Sequence, residues 1–253
     1  MRPDFYKNAA KWFFYAVLCF FFVKLCIFER YSIASGSMMP TIQVGEKVFV
    51  CKFLFGPRIY NPYSKKVDSF VRLKGVRPIE PNDIILFNVP FVNDPLYGIA
   101  MDWNVKYCKR VLGVPGDRIG ASDGHCWNDR VLCPVGVVDE QEKLRWVFDS
   151  LFIWRQTYDV IPLSSKDWNI KNWGPLLVPA KGMTVKLDSF TLELYRQVIE
   201  YETDLALDEN PGEYTFKENY YFVVGDNAMD SYDSRYWGFI PESFIIGVVC
   251  GKK

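Results

Sequence analysis

Three short segments carry side chains whose types and spacing could do hydrolytic chemistry. The first is Y-S-I-A-S-G-S-M-M-P-T at 31–41, which places two hydroxyls, Ser35 and Ser37, one residue apart. Read as a strand, alternation puts Tyr31, Ile33, Ser35 and Ser37 on one face, with Gly36 admitting a close backbone and Pro40 ending the strand. Two hydroxyls on one face can serve as a nucleophile and an oxyanion donor, or can simply close a serine turn. A nucleophilic serine needs a base, and the chain has a single histidine, His125, beside Cys126 and an Asn-Asp turn. The remaining candidate is a neutral lysine. Lys109, in Y-C-K-R-V-L-G-V-P-G-D at 107–117, shares a strand face with Tyr107 and Val111. To act as a base near neutral pH its pKa must fall roughly 2–3 units through desolvation, whereas a salt-bridged lysine would be structural only. The third segment, G-D-N-A-M-D-S-Y-D-S-R-Y-W-G-F-I-P at 225–241, offers Ser231 to orient that lysine and an Asp233–Arg235 pair to fix the loop. A plain turn is the alternative.

The elements that must position these groups read as mainly β. Short runs rich in Val, Ile and aromatics occur at Lys47–Phe55, Asp83–Val89, Val105–Leu112, Trp127–Leu132, Met183–Leu187, Tyr220–Val224 and Phe244–Val249, separated by Gly, Pro and Asn-Asp breakers. Helical spacing is confined to Ser189–Asp204, where Leu192, Tyr195 and Ile199 recur at i, i+3 and i+7 ahead of Asn210-Pro211-Gly212. Residues 134–214 are richer in Trp, Lys and Asp and contain loop-like stretches such as D-V-I-P-L-S-S-K-D-W-N-I-K-N-W-G-P. They are expected to form a smaller domain inserted between a first catalytic part, 30–133, and a last part, 215–253.

Residues 12–28 form an apolar run interrupted only by Lys24 and preceded by Arg2, Lys7 and Lys11. The run matches the lower length limit for a bilayer span, so 1–29 are expected to be a cytoplasmic tip and one transmembrane helix. The catalytic part would then lie on the outer side of the cytoplasmic membrane, with membrane lipid as a partner. A cleaved signal peptide, ending near Ser32 and Ala34, is the competing reading. Charges balance at 30 basic and 30 acidic residues, which argues against a polyanion partner and hence against nucleic acid. Seven cysteines without a C-x-x-C pair and one histidine argue against a metal site. No cofactor is expected. Cys126 and Cys133 flank an apparent hairpin, W-N-D-R-V-L. An Asp129-Arg130 turn would set them opposite one another for a disulfide, whereas an Asn128-Asp129 turn would leave two thiols. The other five cysteines have no partner at readable spacing.

The ordered segments S-G-S-M-M-P-T, N-D-I-I-L-F at 82–87, K-R-V-L-G-V-P-G-D, and G-D-N with D-S-R-Y-W-G-F-I-P resemble the sequential boxes of the bacterial type I signal peptidase family, serine peptidases with a Ser-Lys dyad. The resemblance implies a catalytic core of antiparallel sheets, Ser37 as nucleophile and Lys109 as base. It implies an oxyanion hole from the Ser37 N–H and the Ser35 hydroxyl, with Ser231, Asp233 and Arg235 holding the lysine and its loop. It also implies that Tyr31, Ile33, Met38, Pro40, Ile42, Tyr107 and Cys108 line pockets for small residues at −1 and −3 of preprotein signal peptides, and that the export machinery is a further partner. The chain departs from the family pattern at Ala34, at Asn82 before Asp83, and at Ala228-Met229-Asp230 before Ser231. Two other functions fit parts of the pattern. A self-cleaving repressor would need a DNA-binding domain ahead of the dyad, and a non-catalytic tethered scaffold would not need Ser37 and Lys109.

Overall fold

A computed structural model describes residues 3–23, 27–60, 70–146, 168–204, 206 and 211–253. The chain opens with helix α1 (Pro3–Phe22), strands β1 (Phe28–Ser32) and β2 (Lys47–Cys51), and a helical turn α2 (Lys52–Phe55). A hairpin β3 (Arg58–Tyr60) and β4 (Phe70–Arg72) precedes β5 (Ile84–Asn88) and the long β6 (Lys106–Gly113). Then come β7 (Arg118–Ser122), β8 (His125–Asn128), α3 (Val138–Arg145), β9 (Trp173–Leu177), β10 (Thr184–Lys186) and α4 (Ser189–Thr203). The chain closes with β11 (Glu213–Thr215), β12 (Tyr220–Val224), α5 (Ser234–Trp237), β13 (Ile240–Pro241) and β14 (Ile245–Lys252).

Seven strands form one sheet in the order β1-β2-β14-β5-β6-β12-β13, and every pairing in it is antiparallel. Period-two alternation decides what each face buries. Val111, Tyr221 and Val223 pack with Ile85, Phe87 and Trp237, while Leu112, Tyr220, Phe222 and Val224 enter a second cluster with Ile119, Tyr195 and Ile199. β12 is buried at all five positions, which is why its sequence is an unbroken Y-Y-F-V-V. The sheet also curls. β1 and β6 are separated in the order by β2, β14 and β5, yet the Tyr31 hydroxyl donates to the Lys106 carbonyl at 3.0 Å and Lys106 Nζ pairs with Glu29 at 2.6 Å.

The expected second region takes part in a separate three-stranded sheet, β8-β7-β9, in which β9 pairs across the 133/134 boundary with β7. α4 begins at Ser189 as predicted and ends one residue short of the predicted Asp204, which is its left-handed C-cap. Asp188 caps it by accepting from Thr191 N, and Thr191 reaches back to Asp188 N. Tyr195, Val198 and Ile199 of α4 pack beside Leu112, Phe222 and Phe239.

Four expectations are corrected. The apolar run 12–28 is not one helix, since α1 ends at Phe22 and Phe28 already belongs to β1. Trp12–Phe22 is eleven residues, about 16 Å of helix, and among the described residues no helix is long and apolar enough to cross a membrane. Lys24 lies outside the described residues. Residues 31–37 are not one strand, because β1 ends at Ser32 and Gly36–Met38 form a 3-10 turn. The hairpin near Cys126 turns at Asp123-Gly124, whose φ angles of 50° and 84° are both positive, as a two-residue turn matched to strand twist requires. Cys126 therefore faces Ala121, and both Cys126 and Cys133 are free thiols. The disulfide instead joins Cys51 on β2 to Cys250 on β14, 199 residues apart.

Candidate active site

The curl leaves a cleft of about 380 Å³ between the end of β1 and the start of β6. Ser35 and Ser37 reach it from the 3-10 turn, and Lys109 reaches it from the middle of β6, opposite Ile85. The turn, not strand alternation, brings the two hydroxyls together, with Oγ atoms 3.3 Å apart. Asn227 clamps it from the 225–241 loop: its backbone N–H donates to the Ser37 carbonyl at 3.0 Å and its side chain to the Gly36 carbonyl at 3.2 Å. Gly225 must be glycine for this approach, because a Cβ there would stand 2.1 Å from Ser231 Oγ and 2.5 Å from the Ser37 carbonyl oxygen.

Lys109 is 3% exposed and donates to Ser231 Oγ at 3.0 Å. Burial lowers its pKa to about 8; Asp233 opposes that fall and Arg235 adds to it. Ser231 is bonded in turn to Asp233. Desolvation would raise the Asp233 carboxyl, but the Arg235 guanidinium, paired with it twice at 2.8 Å, holds it below the usual carboxylate range. Asp233 also accepts from Gly225 N at 2.9 Å, so one buried carboxylate ties the start of the loop to its middle. The Ser231 hydroxyl, by donating to Asp233, is left to accept an N–H from Lys109. That turns the lysine lone pair away from Ser231 and leaves it for the cleft.

Ser37 Oγ bonds to Ser35 and Lys109 Nζ to Ser231 rather than to one another. Behind them, Arg110 forks onto Asp226 at 2.6 and 2.7 Å and donates to the Asn82 carbonyl. Asn82 has φ 75°, the left-handed backbone that asparagine tolerates.

Of the expected pocket residues, Tyr31, Ile33, Met38, Tyr107 and Cys108 line the cleft. Pro40 and Ile42 do not: Pro40 is exposed elsewhere, and Ile42 is 1% exposed, packed behind the wall with Val48 and Leu86. The resemblance had implied both as pocket residues, and the chain leaving the turn at Gly36–Met38 carries them away from the cleft. Sequence reasoning missed Ala34, Val105, Lys106, Asp230 and Tyr232 as lining residues, and missed Asn227 as the clamp. The G-D-N box was the available signal for Asn227, but its partner backbone lies 190 residues away. Cys108 is a free thiol that burial pushes up to about 12, so it is a neutral wall rather than a second nucleophile. His125 lies away from the cleft, with Glu142 3.1 Å from its ring. Among the described residues no group of three or more metal-ligating side chains occurs.

The chain resembles known proteins over nearly its whole length. The chain is 31% identical to a signal peptidase I of Buchnera aphidicola subsp. Acyrthosiphon pisum, over 97% of this chain and 74% of the relative. It is 27% identical to a signal peptidase I of Buchnera aphidicola subsp. Baizongia pistaciae, over 94% and 73%. A signal peptidase I of Rickettsia typhi matches at 27% identity over 88% of this chain and 71% of the relative. The pattern of the family described as signal peptidase, peptidase S26, matches residues 6–250, and with nearly the whole chain so accounted for, the protein belongs to that family.

Proposed function

We propose that the chain is a membrane-anchored serine endopeptidase that cuts signal peptides from exported preproteins, with Ser37 as nucleophile and Lys109 as base. The observation that carries this reading is a buried lysine with its pKa near 8 in the same cleft as a serine on a tight turn. In the proposed step the Ser37 oxygen attacks the scissile carbonyl while its proton passes to Lys109 Nζ. The resulting alkoxide meets the Ser35 hydroxyl and the Ser37 N–H, which sits in the first turn of a 3-10 helix, where backbone N–H groups have no intrahelical partner. Lys109 then protonates the departing amine, and water, deprotonated by the same lysine, hydrolyses the acyl-enzyme.

An extended substrate fits because the cleft has an open strand on each side. β1 ends the sheet, and β6 pairs with β12 only from Arg110 onward, leaving Lys106–Lys109 without a strand partner on that side among the described residues. The narrow walls at Ile33, Met38 and Cys108 suit small side chains. The exposed aromatic residues of α1, among them Trp12 and Phe13, support anchoring at a membrane, and the Cys51–Cys250 disulfide supports an oxidising outer location. Residues 134–214 are read as a smaller inserted unit that shares its core with β6 and β12.

The test is cleavage of a preprotein whose signal peptide ends in Ala-x-Ala. Wild-type protein should cut it after the last alanine, and Ser37→Ala should be inactive while folding normally. A Ser37→Ala protein that cuts at the wild-type rate would overturn the mechanism.

A further inference from the structure

The contact between the Tyr31 hydroxyl and the Lys106 carbonyl occupies a backbone position that a bound peptide would otherwise use. In an antiparallel pair, alternate residues turn their backbone groups toward the neighbour and away from it. Val89 N donates to the Val105 carbonyl, and the β5–β6 register pairs Tyr107 with Phe87 and Lys109 with Ile85. Val105, Tyr107 and Lys109 therefore spend their backbone groups on the β5 side, while Lys106 and Cys108 turn theirs to the cleft. Within the cleft the Lys106 carbonyl is already filled by the Tyr31 hydroxyl at 3.0 Å. Glu29, two residues before Tyr31 on the same face of β1, braces the closure: it pairs with Lys106 Nζ at 2.6 Å and with Lys52 Nζ at 2.9 Å.

We propose that Tyr31 is a stop that ends the substrate groove, its hydroxyl standing in for a peptide N–H at Lys106 and so confining pairing along β6 to the Cys108 position. The proposal rests on the reading of the cleft as the groove for an extended signal peptide. It makes Tyr31 a specificity-determining residue. With the carbonyl capped, the enzyme reads the residues next to the scissile bond and draws no affinity from backbone farther out. Because strand pairing has a period of two, the substrate N–H that Lys106 would accept lies two residues farther from the scissile bond than the one at Cys108.

The experiment uses full-length enzyme and a peptide ending its signal portion in Ala-x-Ala, prepared with a single backbone N-methyl group at each upstream position in turn. Methylation removes one donor and leaves the side chains alone. Wild-type enzyme should lose affinity at the inner pairing position and be indifferent two residues farther out. Tyr31→Phe keeps the ring and frees the carbonyl. Its KM for the unmethylated peptide should fall about fivefold, as one peptide hydrogen bond is gained, and methylation at the outer position should return KM to the wild-type value. Equal methylation profiles for the two proteins, with the parent peptide cleaved by both, would overturn the stop while leaving the groove intact. Failure of the wild-type enzyme to cut the parent peptide, or equal cutting by Ser37→Ala, would overturn the groove reading and the stop with it.

Discussion

Lys109 should set the pH behaviour of the site because burial disfavours its charge more than Asp233 restores it. Its pKa of about 8 lies below the ordinary lysine value, so the folded state binds fewer protons than the unfolded chain between pH 8 and about 10.5. Stability therefore rises as pH climbs through that window. Below pH 8 the fold bears the full cost of a buried ammonium, about 3 kcal/mol for a shift of this size. Activity should rise lower on the pH scale: kcat/KM should increase with pH through a free-enzyme limb near 8 and level off above it, as the lone pair becomes available. Lys109→Met should abolish cleavage and raise the denaturant midpoint at pH 7, with the difference from wild type closing by pH 10.5. Urea melts at pH 7 and pH 10 check this, and a Lys109→Met protein less stable than wild type at pH 7 would show that the Ser231 contact outweighs desolvation.

At the scale of elements, the loop 225–241 and helix α4 are each held by one buried carboxylate. Glu202, near the end of α4, accepts from Tyr214 Oη, Lys217 N, Glu218 N and Tyr220 Oη at 2.8–3.1 Å. Glu202→Ala strands two backbone donors and two hydroxyls, and should cost about 3 kcal/mol even if water reaches some of them. Glu202→Gln, which retains one acceptor oxygen, should cost less. Neither change touches the cleft, so kcat of the folded fraction should match wild type; chemical denaturation and a titrated active-site count separate the two effects. The helix itself was legible because its signals are local: Leu192, Tyr195 and Ile199 recur at helical spacing, and Asp188 with Thr191 caps the start. The strands were legible for the same reason, and β12 follows its apolar run residue for residue. Local signals were also present where the reading went astray. Asp123-Gly124 is a better two-residue turn than Asn128-Asp129, since both its residues take positive φ, but the Asn-Asp pair between Cys126 and Cys133 carries a similar local signal. The turn at Gly36–Met38 was hidden for a different reason: it is held by Asn227 from the far end of the chain, and nothing in 31–41 alone separates a strand from a turn.

The whole molecule is closed by pairings between its beginning and its end, and these are the features a linear reading sees least. β14 lies between β2 and β5, so the last strand of the chain is central to the sheet. The register of β14 on β2 slips between Val249 and Gly251, and this irregularity places Cys250 beside Cys51, where strict alternation of an uninterrupted strand would not have suggested a partner. The bond closes a loop of about 200 residues, for which chain entropy alone gives a stabilisation of about 5 kcal/mol, an upper figure because the denatured chain is itself compact. Cys51 is buried and Cys250 exposed, so a small reductant can reach one sulfur without unfolding the sheet. Alkylation of unreduced protein in denaturant should modify Cys108, Cys126 and Cys133 and spare Cys51 and Cys250, as read by peptide mass spectrometry. Reduction, or the double change Cys51→Ser with Cys250→Ser, should lower the thermal midpoint by about 10 °C. Neither Cys51 nor Cys250 lines the cleft between β1 and β6, so kcat at low temperature should be retained. Retention of the full midpoint in the double mutant would show that the β2–β14 pairing, and not the covalent link, holds the chain ends together.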